Sequence, residues 1–219
     1  MLTYRSARLP LAATAAIIAT AIVFINIPAT QATDCATLVA TADSHHKQAV
    51  QQNQTGTDGY FAALYKVEDE LFDIMKQCQN NAATLSAMGE LQLSLGQIPI
   101  AKLYGQKAIG IDDENWQAHY VLGSALNLKK EYALGLTHLK KASALQPNNY
   151  SLLVNLCSSY EKNKQFSQAI KACSTAIQKG PYEIRGTAYY LRALAYTGNN
   201  ELTLAEKDNQ LAKEFGINK

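Results

Sequence analysis

Bulky apolar side chains recur at helical intervals through residues 82–217. They stand at Leu85 and Met88 with Ile98, at Leu122 and Leu126 with Tyr132, at Leu153, Leu156 and Tyr160 with Phe166, and at Tyr189 and Tyr196 with Leu202. Small residues interleave with them on a 34-residue period: Gly89, Gly123 and Cys157 form one series, and Ala108, Ala142 and Ala176 another; Pro147 and Pro181 share the interval. Counted in units of that length, positions 4, 7, 8 and 11 fall on one face of a helix, and positions 17, 20, 24 and 27 on one face of a second. Each unit is therefore predicted to be two amphipathic helices. Gly96, Lys130, Lys164 and Gly198 fall in or beside the turn between them. Pro99 stands at the start of a second helix, where a missing N–H does no harm, and Pro147 and Pro181 stand just past helix ends. One such hairpin cannot bury its stripe alone, but stacked neighbours can.

The units run over about 82–115, 116–149, 150–183 and 186–217, with a two-residue insertion expected in the Gly180-Pro181-Tyr182 loop. Position 8 holds Gly89, Gly123, Cys157 and Ala193; position 20 holds Ala101, Gly135, Ala169 and Ala205; position 27 holds Ala108, Ala142, Ala176 and Ala212. In these columns the chain resembles the tetratricopeptide-repeat family, whose pattern sets small residues at those positions among bulky ones at 4, 7, 11, 17 and 24. It departs from the pattern at His119, Gln92, Arg192, Gly105 and Asn209. The resemblance implies an all-α fold, a right-handed α-solenoid of antiparallel helix pairs over residues 81–219. It also implies a concave wall built from the first helix of each unit. On that wall the family's positions correspond to Ser86, Glu90, Tyr120, Ser124, Asn127, Val154, Ser158, Glu161, Tyr190 and Leu194, with Asn155 beside them. Aromatic anchors mixed with amides and hydroxyls suit an extended peptide, whose backbone needs hydrogen-bond partners and whose side chains need shallow pockets.

Ahead of the array, 34–52 and 59–79 read as two further helices joined by Asn53-Gln54-Thr55-Gly56-Thr57-Asp58. Phe61, Leu64, Tyr65, Leu71, Phe72 and Met75 lie at helical spacing in the second. The pair lacks the small column, so residues 33–80 are expected to form a divergent repeat or cap. Residues 1–32 carry Arg5 and Arg8, then an uncharged Ala/Ile-rich run, then Thr30, Gln31 and Ala32, the order of a signal peptide cut after Ala32. An uncleaved N-terminal anchor is the other reading. Either one exports the remainder to the periplasm or cell envelope, and membrane contact is expected only through that segment.

Of 20 Lys and Arg, Arg5 and Arg8 lie in this leader, which leaves 18 basic against 18 acidic side chains and a neutral body. Such a body has no charge with which to recruit nucleic acid. All four cysteines follow the leader, and none forms a C-x-x-C pair, which favours disulfides over zinc or redox chemistry. An antiparallel front hairpin would set Cys35 beside Cys78. Cys157 and Cys173 are equidistant from the turn of their unit, so pairing brings them opposite each other. Two buried free thiols at Cys157 and Cys173 are the alternative.

No nucleophile with a base, no phosphate loop and no metal constellation is visible, so no catalytic residue, metal or cofactor is expected. His45 and His46 read as solvated surface, His119 as a partly buried structural histidine and His138 as exposed; Asn53-Gln54-Thr55 matches a glycosylation sequon by chance. The reading is a non-enzymatic scaffold that holds a protein or peptide partner. A structural or self-oligomerising component of an envelope assembly is the second reading, and the oligomeric state is left open.

Overall fold

The computed structural model describes residues 29–52 and 57–217. The leader expected at 1–32, apart from its last four positions, and the Asn53-Gln54-Thr55 match lie outside the described residues. Ten helices follow one another: α1 (Ala29–Gln52), α2 (Asp58–Gln77), α3 (Ala82–Ser94), α4 (Ile98–Ile111), α5 (Trp116–Leu128), α6 (Tyr132–Leu145), α7 (Tyr150–Lys162), α8 (Phe166–Lys179), α9 (Tyr182–Gly198) and α10 (Leu202–Glu214). Among the described residues there is no strand.

Recurrent end chemistry sets the helix boundaries. Asn81, Asn115 and Asn149, again 34 apart, cap α3, α5 and α7; their side-chain oxygens accept from the backbone N–H of Thr84, Ala118 and Leu152 at 2.9, 2.8 and 3.3 Å. Each such cap stabilises its helix by roughly 1 kcal/mol. Inside the units, Gly96, Lys130, Lys164 and Asn200 adopt left-handed backbone with φ of 73°, 63°, 59° and 64°. The following residues, Gln97, Glu131, Gln165 and Glu201, donate their N–H groups back to Gln92, Leu126, Tyr160 and Tyr196. This 6→1 bond closes the carbonyl end of the first helix and turns the chain into the second. In the fourth unit the left-handed residue is Asn200, and Gly198 stands beside the turn as the last residue of α9. The extra residues wind onto the front of α9 instead of lengthening a loop, because Pro181 takes the N-cap position, where its missing N–H and fixed φ favour an immediate helix start.

All twelve residues of the three small columns are buried. A Cβ on Gly123 would lie 2.9 Å from the Gly135 carbonyl oxygen and 2.8 Å from Leu139 Cγ, so α5 and α6 cross backbone against backbone. Hairpins form between α3 and α4, α5 and α6, α7 and α8, and α9 and α10, and each second helix packs on the next first helix. The α1/α2 pair joins in the same manner: α2 packs on α3, and α1 also touches α3. First helices of successive pairs touch one another (α1 with α3, α3 with α5, α5 with α7, α7 with α9), whereas among the described residues no second helix packs on another second helix. The first-helix side is thus the shorter, concave side of the curve. This is the all-α solenoid the small columns predict.

Cys35 and Cys78 meet at an S–S distance of 2.03 Å, and Cys157 and Cys173 at 2.09 Å, with Cα separations of 5.8 and 5.5 Å. The first pair closes the open end of the α1/α2 hairpin, and the second pins α7 to α8 at their crossing. At the far end Phe215 packs its ring on Tyr182 and Tyr189, 4.7 and 5.7 Å between centroids, and covers Gly186.

Candidate partner-binding groove

The concave wall is richest where α1, α3 and α5 come together. Asp43, His46, Lys47 and Val50 of α1 face Glu90, Leu93 and Ser94 of α3 and Gln117 and Tyr120 of α5, around a cleft of about 250 Å³ lined by His46, Lys47, Val50, Gln51, Glu90, Leu93, Ser94 and Tyr120. The Gln117 amide donates to both carboxylates, 2.6 Å to Glu90 and 3.3 Å to Asp43. Burial, followed by the Glu90 charge, raises the Asp43 pKa. Burial and then the same charge push the Tyr120 phenol up to about 12, so it stays protonated at any neutral pH; Ser124 hydrogen-bonds to it.

His46 is no surface residue. It is 6% exposed, and its Nε2 lies 2.9 Å from Ser94 Oγ, while the Tyr60 hydroxyl donates to the Ser94 carbonyl at 3.2 Å. The reason is tertiary: α3 packs across α1 and covers the face that carries His46. His45, a step round the helix, is exposed and pairs with Glu70 at 2.9 Å. His138 is half-buried, not exposed, because it meets His119, with 2.9 Å between the two Nδ1 atoms. His119 Nε2 contacts the Asp113 carbonyl oxygen at 2.9 Å, so Nε2 carries the proton. His119 Nδ1 is then the acceptor and His138 the donor.

These burials predict an acid response. Burial is the first cause that lowers the pKa of His46 and of His138 from the ordinary 6.5. Below that value the unfolded chain takes up protons that the folded chain refuses, so stability falls as pH drops through 6.5, and the loss levels off below the folded-state values. Asp43 acts oppositely, taking up its proton in the fold above its ordinary 3.8, and so moderates the loss at the acid end. Thermal melts at pH 7.5 and 5.5 are expected to show a lower midpoint at 5.5. Substituting His46→Gln and His138→Gln together should flatten the difference; an unchanged slope would refute the assignment.

The other expected wall residues divide. Asn155, Ser158 and Tyr190 stand half-buried on α7 and α9, and the Asn155 amide donates to the Ser151 carbonyl one turn earlier. Glu161 lies 3.0 Å from Lys162 Nζ, an ion pair whose Oε2 is buried and makes no hydrogen bond. Asn127 turns instead toward the helix crossing: its Oδ1 covers Gly135 and lies 3.5 Å from Ser159 Oγ. Ser86 and Val154 are buried, with the Ser86 hydroxyl donating to the Ala83 carbonyl. Sequence reading missed the contribution of α1, which supplies half the cleft. A second cleft, of about 480 Å³, opens between α1 and α2 among His45, Ala49, Ala63, Lys66 and Glu70, and no residue of α3 or any later helix lines it. Among the described residues no group of three or more His, Cys, Asp or Glu is arranged to hold a metal ion, and no helix is long and apolar enough to cross a membrane.

No protein-family model matches the chain. The DnaJ homolog subfamily C member 3 homolog of Dictyostelium discoideum is 24% identical over 169 residues, 70% of this chain and 33% of that protein, so the chain spans about one third of that relative's length. A solved structure of MamA is 26% identical, with a TM-score of 0.58 over 71% of this chain and 90% of that one. MamA from Desulfovibrio magneticus RS-1 is 17% identical at a TM-score of 0.60, over 82% of this chain and 95% of that one. YrrB, described as a TPR protein with an unusual peptide-binding site, is 16% identical at 0.57, over 78% and 91%. Helix pairs, left-handed turns and fold likeness together define an all-α solenoid repeat protein. With its small columns buried at every crossing, the chain shares the helix-pair fold of YrrB, a TPR protein, and of MamA.

Proposed function

We propose that the chain is a non-enzymatic interaction scaffold of the periplasm or cell envelope, which takes an extended segment of a partner protein along its concave wall. The observation that carries the reading is the cleft at the α1/α3/α5 junction, where an apolar floor and polar rim from three helices converge on the concave side. The residues proposed to meet the partner are Glu90, Tyr120 and Ser124 near that cleft, and Asn155, Ser158, Glu161 and Tyr190 further along; Asn127 supports the wall from behind. Likeness to YrrB supports a peptide ligand, since that protein's description names a peptide-binding site. The leader-like start and two cysteine pairs at bonding distance support an oxidising, exported setting.

Site-specific photo-crosslinking tests the reading. A benzophenone side chain in place of Asn155, on the concave wall, is expected to trap a partner in intact cells. The same group in place of Leu134, exposed on the outer helix α6, is expected to trap none. Crosslinks from Leu134 alone would move the site to the outer face.

A further inference from the structure

Resting on the concave-groove reading, we infer that the bound segment presents a lysine or arginine, whose cationic head lies between Asp43 and Glu90 and whose aliphatic stem lies in the cleft beside them. Both carboxylates lean on a single neutral donor, the Gln117 amide, which gives one hydrogen to each. Among the described residues neither carboxylate has a Lys, Arg or His nitrogen within ion-pair distance, whereas Asp208, the most buried carboxylate of an ion pair, is gripped by Arg192. The one basic residue on the rim, Lys47, is exposed and influences Asp43 only through space. Burial raises the free energy of a charged carboxylate, and a like charge nearby raises it further. A cation arriving between the two removes both penalties at once.

The walls decide which cation. Val50, Leu93 and the Tyr120 ring form an apolar lining next to Glu90, and Val50 is 40% exposed. A hydrated metal ion gains nothing from such a lining, whereas a lysine or arginine stem lies along it while the head reaches the acids. His46, whose pKa burial lowers, is bonded to Ser94 and to neither carboxylate.

Random dodecapeptides displayed on phage and selected on the immobilised full chain supply the probe. Enriched sequences are expected to share a basic residue, and a synthetic peptide should lose about ten-fold in affinity when that residue becomes norleucine, the size of one charge-assisted hydrogen bond. Glu90→Gln with Asp43→Asn should bind the lysine and norleucine peptides alike, with its melting curve taken as the check on folding. Enriched peptides that bind the concave wall without a basic residue, or a norleucine penalty unchanged in the variant, would overturn the cation slot and leave the groove reading intact. If no peptide is enriched, or enriched peptides fail to block crosslinking from the Asn155 position, the groove reading falls and this inference with it.

Discussion

Replacing Cys35 and Cys78 together by alanine is expected to lower the unfolding free energy by about 4 kcal/mol, and the loss should concentrate in the first two helices. The two positions are separated by 43 residues, and in chain-entropy arithmetic a cross-link closing that many residues removes about that much freedom from the unfolded chain. The position of the link makes the effect local. Among the described residues α1 packs on α2 and α3 alone, and Cys35 lies near its start while Cys78 caps the end of α2. In a solenoid each element is stabilised by its immediate neighbours, so a hairpin with few of them frays first once its clasp is gone. Because α1 carries Asp43, His46 and Val50, the cleft should open with it. Urea unfolding reads the stability, and hydrogen exchange reads the location; a loss below about 1 kcal/mol, or alkylatable thiols in the unreduced chain, would contradict the expectation. The Cys157–Cys173 pair, 16 residues apart, should contribute about 3 kcal/mol by the same arithmetic.

The array was legible because its constraint is periodic. A residue at a helix crossing must be small in every unit, so Gly89, Gly123, Cys157 and Ala193 announce the crossing four times over. The same logic applies to Asn81, Asn115 and Asn149, whose shared interval is a cap signature that could have been read from the sequence. What was not legible lies where the period is absent. The α1/α2 pair has no small column, so nothing local indicates which face of α1 meets α3, and the burial of His46 depends on a contact with Ser94 48 residues away. The share of the wall built by α1 was hidden for that reason.

Departures from the repeat pattern form a second class, and the three on first helices each prove to be one half of a pair. His119 stands where the family places a bulky residue and is completed by His138; Gln92 is completed by Glu68, at 2.8 Å; Arg192 is completed by Asp208. In each case the departing residue was conspicuous in the sequence, while its partner sat on a position with no demand of its own. A polar group in an apolar stripe is tolerated only when its hydrogen bonds are met, so the departure implies a partner without naming it. Pairing across a helix crossing also supplies direction, which apolar packing does not.

Arg192 and Asp208 make that point measurable: Asp208→Ala is expected to cost about 3 kcal/mol, although the position lies on the polar last helix. Asp208 is 3% exposed, and the guanidinium grips it with two bonds, Nε to Oδ2 at 2.7 Å and Nη2 to Oδ1 at 2.9 Å. Nη1 donates to Ser174 of α8 at 2.9 Å, and the charge lies 5.5 and 5.7 Å from the Tyr189 and Tyr196 ring centres. One side chain thus ties α9 to both α8 and α10. The bond to Asp208 is the first cause that raises the Arg192 pKa, and when that partner is removed the guanidinium is still too basic to lose its proton. Truncating the carboxylate therefore strands a largely buried cation, a change that costs several kcal/mol where burial is complete and somewhat less here. The loss should appear as early exchange of the α9 and α10 amides, with α3 to α6 still protected. Replacing both partners by leucine removes the stranded charge along with the bond and is expected to recover most of the stability. If the double replacement is as damaging as Asp208→Ala alone, the pair is not what holds the last hairpin in place.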